Sequence, residues 1–143
     1  MHKALNYMSL ARKAGRIELG EEPVGAAARA QKARLVVVAS DASDHTWRRS
    51  KSFVAGTNQQ CIRVAFTKDE LGQAIGRASL AVAAFTDPAL ALAFVQALAD
   101  PRYDEVITHL QDRTNRVRQR QAEEKAHQRN KRLGKPGKKA GMN

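Results

Sequence analysis

Asp41-Ala42-Ser43-Asp44-His45 places two carboxylates, a hydroxyl and an imidazole within five residues, a set able to ligate a metal ion or relay a proton. The same residues stand where an apolar run gives way to a helical pattern, and Asp and Ser are the side chains that cap helix N-termini, so the capping reading prevails. The remaining candidates for chemistry are scattered. His2, His109 and His127 lie far along the chain from His45 and from one another, with no ligand spacing. Cys61 is the one cysteine, which excludes a disulfide framework or a cysteine zinc site within one chain; it reads as a small hydrophobe at the start of a strand. No glycine-rich phosphate loop, Gly-x-Ser-x-Gly elbow or Cys–His nucleophile pattern is present. These features favour a binding protein over an enzyme, with no cofactor and no metal.

The charge says what such a protein would bind. The net charge is +11, and it is unevenly placed: residues 1–101 carry 13 Lys+Arg against 9 Asp+Glu, residues 102–143 carry 12 against 5. An excess of this size points to an anionic partner. No segment approaches the ~20 apolar residues that span a bilayer, and the N-terminal residues lack the apolar core of a signal peptide, so a cytoplasmic protein in a reducing compartment is expected, with no membrane partner.

A chain of 143 residues has room for one domain and a tail. Leu5, Met8 and Ala11 recur at helical spacing and Gly15 supplies a stop, so a first helix is expected over about residues 3–14. Ile17 to Leu19 reads as a short strand. Gly20 opens a turn, and Glu21, Glu22 and Pro23 suit the first turn of a second helix, where acids favour the dipole and proline loses no hydrogen bond. Leu35 to Ala39 is a continuous apolar run of strand length, as for a strand covered on both faces. Asp41, Ser43 or Asp44 caps the next helix, which stops at Gly56. Ile62 to Phe66 reads as another strand, Thr67 to Glu70 as a capping box opening a helix that ends at Gly76, Leu80 to Phe85 as the last strand, and Asp87-Pro88 as the start of an alanine-rich helix.

Strands alternating with helices predict an α/β fold, a three-layer α/β/α sandwich with a mixed central sheet of about four strands. Residues 1–100 form that domain in this reading. Residues 101–132 form a charged helical extension in which Val106, Leu110 and Val117 are too few for a core-facing side. The Gly, Pro and Lys of residues 133–143 predict a disordered basic tail.

Ser9-Leu10-Ala11-Arg12-Lys13-Ala14-Gly15, Gly20-Glu21-Glu22, Leu35 to Ser43 and Glu70 to Gly76, in that order, resemble the kink-turn RNA-binding ribosomal-protein superfamily and, within it, small bacterial YlxQ-type members. The resemblance covers about residues 3–99. It implies that the glycine turn and the N-terminus of the second helix meet a kinked RNA helix, read guanine–adenine pairs there, and hold an extruded nucleotide against neighbouring loops. Physics suits this mode, because side chains cannot read a regular A-form major groove whereas unstacked bases are accessible, and a helix N-terminus offers N–H groups to phosphate.

The family's Gly-x-Asn-Glu-x-x-Lys motif falls on Gly20, Glu22, Pro23 and Ala26, so the chain keeps the glycine and departs at the other three. The resemblance implies RNA contacts at Gly20, Glu21 and Glu22, at Ser43 and Trp47 after the central strand, and at Arg77, Ala78 and Ser79 in the loop before the last strand. Arg16 and Arg29 are expected nearby, making the patch basic overall. Each residue also has a plainer reading: Gly20 as a turn, Glu21 and Glu22 as first-turn acids, Trp47 as a packing residue. The partner implied is structured RNA, ribosomal or kink-turn, with the ribosome and transcription or translation factors as further candidates and a monomer as the expected state. The alternative function is a protein-interaction module that keeps the fold and binds RNA only weakly through its basic tail.

Overall fold

The computed structural model describes residues 1–132; the expected disordered tail lies outside the described residues. The elements are α1 (Lys3–Lys13), β1 (Ile17–Leu19), α2 (Glu21–Arg29), β2 (Leu35–Val38), α3 (Asp44–Val54), β3 (Gln60–Arg63), α4 (Lys68–Ala74), β4 (Val82–Phe85), α5 (Pro88–Leu98), a 3₁₀ turn (Pro101–Tyr103) and α6 (Asp104–Arg132). The strands form one mixed sheet in the order β1-β4-β2-β3. β4 runs antiparallel to β1 (Ile17 opposite Phe85) and to β2 (Leu35 opposite Phe85), while β2 and β3 are parallel with Leu35 opposite Gln60. α2 and α3 pack together on one side, α1 with α4 and α5 on the other. The two inner strands are therefore covered twice, and every residue of β2 and β4 is buried.

Local chemistry sets most of the boundaries. Thr67 and Glu70 form the full capping box at the start of α4, Asp87 caps α5 ahead of Pro88, and Ser43 caps α3. Asp41 serves a different helix: its carboxylate accepts from the Lys68 amide at 2.8 Å and tethers α4 to the end of β2. β3 lies earlier than the apolar run at 62–66 predicts. As an edge strand it tolerates the half-exposed Gln60 and Arg63, and its parallel register with β2 is exhausted at Arg63. Gln59, just before it, is a buried staple that donates to the Ala28 carbonyl at 3.2 Å and accepts from the Ala33 amide at 3.0 Å.

The described chain divides into two units, residues 1–111 and the stretch of α6 from residue 112 onward. In the first, Leu110 is fully buried and Val106 and Ile107 pack against the core, so the opening turns of α6 are not the solvated helix that their sparse apolar residues suggest. Tyr103 joins them at the sheet edge, donating its hydroxyl to the Arg63 carbonyl at 2.6 Å. In the second unit α6 continues as a polar helix to Arg132.

Candidate nucleic-acid interface

Because β4 opposes β1 and β2, the C-terminal ends of β1, β2 and β3 and the N-terminal end of β4 share one end of the sheet. Four connections meet there and are knit by backbone hydrogen bonds. The Gly20 amide donates to the Val82 carbonyl at 2.9 Å, Ala39 to Ala81 at 2.9 Å, Ser40 to Phe66 at 2.8 Å and Leu80 to Lys68 at 3.0 Å. This rim brings together the start of α2, the loop from β2 to α3, the loop from β3 to α4 and the loop from α4 to β4.

Gly20 is the residue that lets β1 turn into α2. Its φ of 97° is poorly accessible to side-chain-bearing residues, although an added Cβ would meet nothing nearer than Pro23 Cδ at 3.8 Å. Conformation rather than space selects glycine here. Glu21 and Glu22 then occupy the first helical turn, and both carboxylates are engaged by Arg49 of α3, each at 3.8 Å. Glu22 is open to solvent while one oxygen of Glu21 is buried without a hydrogen bond. The two helices come close because Gly25 lies against the Phe53 ring, 3.1 Å from where a Cβ would sit, and the Arg49 guanidinium lies 5.6 Å from the same ring's centre.

Ser43 is committed to its cap: Oγ accepts from the Thr46 amide at 3.1 Å and donates to the Thr46 hydroxyl at 3.1 Å. Trp47, one turn on, is half-buried against the core. Lys51 Nζ and Arg63 Cζ lie over its ring at 5.0 and 5.6 Å from the centroid. Arg63 is held in place by donating to the Ala42 carbonyl at 2.8 Å, whereas no hydrogen bond or ion pair among the described residues anchors Lys51.

Arg77, Ala78 and Ser79 are exposed, and their backbone rests directly on Gly72 of α4. The Arg77 amide also donates to the Gly72 carbonyl at 2.8 Å, closing the helix end. Arg12, which local sequence marks only as a last-turn cation of α1, reaches to within 3.5 Å of where a Cβ on Gly76 would stand. Its partner is 64 positions away in sequence, so only the packing of α1 on α4 reveals it.

Arg16 and Arg29 do not join this end. Arg16 precedes β1, so the strand's length, about 3.3 Å per residue, separates it from Gly20. Arg29 closes α2, about 12 Å along the axis from Glu21, and its guanidinium folds back toward Gly25. The cations on the rim and its flank include Arg49, Lys51, Arg63, Lys68 and Arg77, of which only Arg77 is a site residue expected from the sequence. Cys61 takes no part: burial pushes its thiol up to about 12, against a partial lowering by Lys51. Among the described residues no cluster of three or more metal-ligating side chains occurs, and no helix is long and apolar enough to cross a membrane.

Residues 2–99 match the ribosomal protein L7Ae/L30e/S12e/Gadd45 family. An Enterococcus faecium protein named RNA-binding protein YlxQ is 37% identical over 75 residues, which is 52% of this chain and 72% of that protein. A solved structure of a Bacillus halodurans protein of unknown function has a TM-score of 0.65 at 25% identity, covering 70% of this chain and all of that one. A Giardia lamblia 15.5-kD RNA-binding protein shares the fold at a TM-score of 0.51 and 20% identity, over 66% of this chain and 81% of its own.

Proposed function

As the chain belongs to the ribosomal protein L7Ae/L30e/S12e/Gadd45 family, in its YlxQ-type branch, we propose that it is a non-catalytic RNA-binding protein that recognises structured, kink-turn-like RNA in a ribosomal or ribosome-associated setting. The observation that carries this reading is the knitted rim at one end of the sheet, where the Gly20 turn, the β2–α3 loop and the α4–β4 loop converge. Gly20, Glu21, Glu22, Ser43, Trp47, Arg77, Ala78 and Ser79 are the contacts proposed there. The α2 N-terminus supplies free N–H groups, the two acids accept from guanine N–H, Trp47 stacks on a base once Lys51 moves aside, and Arg77 pairs with phosphate.

Arg49 explains how two carboxylates can sit on a surface that meets phosphate. Held at 3.8 Å from both, its guanidinium offsets their field from the neighbouring helix, where the chain has only Ala26 on α2 itself. The reading is tested by titrating fluorescent kink-turn RNA against a control whose guanine–adenine pairs are replaced by Watson–Crick pairs. Tighter binding of the kinked RNA is expected, and equal affinity for the two would leave only generic RNA binding.

A further inference from the structure

The family match ends at residue 99, and α6 runs beyond it to Arg132. Between residues 112 and 132 this helix carries eight Lys and Arg against three Asp and Glu, and its apolar residues are Val117, Ala122 and Ala126. Beyond Thr114, which is buried, and the half-buried Val117, the helix is polar on all sides and gains little from packing. It gains little from ion pairs either, since among the described residues the three ion pairs all lie outside this segment.

Its charges are not evenly spread around the axis. Side chains meet at i±3 and i±4, and by that rule Arg116 has Asp112 as a neighbour beside Arg113 and Arg120, while Arg120 has Glu123 and Glu124 beside Arg116. Arg118 has Thr114, Asn115, Gln121 and Ala122; Lys125 has Gln121, Ala122, Gln128 and Arg129. Neither has a carboxylate within reach, and Arg129 faces Lys125, a like-charge pair that weakens the helix by a few tenths of a kcal/mol. At 3.6 residues per turn, Arg118, Lys125 and Arg129 fall within about 40° of one another, spread over about 16 Å of axis. All three are exposed. One face is thus partly self-neutralised and the other is a row of uncompensated cations that a polyanion would relieve.

We propose that the face of α6 bearing Arg118, Lys125 and Arg129 is a second RNA-binding site, one that grips backbone phosphates without reading sequence. The choice of RNA as the polyanion rests on the function proposed above. Arginine forks pair with phosphate oxygens bidentately, and a second contact on the same RNA raises the effective concentration of the first.

The test uses the full chain and two fluorescent RNAs, a kink-turn and an uninterrupted duplex, titrated between about 50 and 200 mM salt. Two double variants remove the same charge: Arg118→Gln with Arg129→Gln, and Arg116→Gln with Arg120→Gln. Glutamine has a helix propensity close to that of arginine, and circular dichroism checks that the helix persists. By removing two cations that neutralise phosphate, the first variant should lower the log–log salt slope by about 1.5 on both RNAs, and the second by less than about 0.5. Equal changes for the two variants, or an unchanged slope for the first, would overturn the proposal and leave this face to a protein partner. The ratio of affinities for the two RNAs belongs to the rim and should be the same in both variants, so a protein that never preferred the kinked RNA would refute the rim reading and not this one.

Discussion

Gly72→Ala sets two effects of opposite sign against each other. A Cβ on Gly72 would lie 2.7 Å from the Ser79 amide nitrogen, 2.8 Å from the Arg77 carbonyl oxygen and 2.8 Å from Ser79 Cα. All three are backbone atoms, so no rotamer change relieves the contact, and the α4–β4 loop must retreat by about 0.7 Å or more to reach normal carbon separations. Alanine inside a helix is favoured over glycine by about 1 kcal/mol. Overpacking costs about 1–3 kcal/mol. Retreat also stretches the hydrogen bonds from Arg77 to Gly72 at 2.8 Å and from Leu80 to Lys68 at 3.0 Å, each worth about 1 kcal/mol. The clash and the strained bonds outweigh the propensity gain, giving a net destabilisation of about 1–2 kcal/mol. Urea unfolding followed by the fluorescence of Trp47, the one tryptophan, reads this as a lower midpoint at an unchanged slope. Displacing residues 77–79 should weaken binding of kink-turn RNA while binding of plain duplex stays as it was. A stability gain of about 1 kcal/mol, the propensity effect alone, would refute the close approach of loop and helix.

Arg49→Gln should change stability by less than about 1 kcal/mol, since both its ion pairs are long and solvent-screened. At low salt it should weaken RNA binding about fivefold, the scale of one charge pair in water, by leaving Glu21 and Glu22 bare; unchanged affinity in a filter-binding assay would remove Arg49 from the account. Tyr103→Phe strips the donor from the Arg63 carbonyl and should cost about 1 kcal/mol in urea unfolding; a midpoint equal to that of the parent protein would show that the edge bond adds nothing. Cys61, with its pKa raised from 9.0 to about 12, should resist an aromatic disulfide reagent at pH 8 until urea is added. The unfolded chain releases this proton first, so Cys61's contribution is fully present below about pH 9 and is lost as pH rises toward about 12; Cys61→Ala should flatten that decline.

The parts of the fold that local chemistry specifies are legible in the sequence. The capping box at Thr67 and Glu70, the Asp87-Pro88 start of α5, the apolar β2 run and the glycine turn at Gly20 each carry their own signal within a few residues. The apolar run at 62–66 misplaces β3 because an edge strand need not be continuously apolar, and its register is set by β2 rather than by its own residues. Leu110 has Val106 and Ile107 at i−4 and i−3, but so short an apolar patch at the head of a charged helix does not show what covers it, and only the tertiary fold supplies the packing that buries it. The candidate site divides the same way. Gly20, Ser43 and Arg77 stand at motif positions, while the engagement of Glu21 and Glu22 by Arg49, and of Trp47 by Lys51 and Arg63, joins residues whose pairing no local pattern encodes. Arg16 and Arg29 are near Gly20 in sequence, a nearness that a strand and a helix convert into distance.

Hydrogen exchange of the full chain, with and without kink-turn RNA, tests most directly whether RNA docks on the rim. Protection on binding should concentrate at the start of α2, in residues 40–47 and in residues 77–81, and Gly72→Ala should reduce it. Protection confined to α6, with those three segments exchanging as in the free protein, would contradict the account.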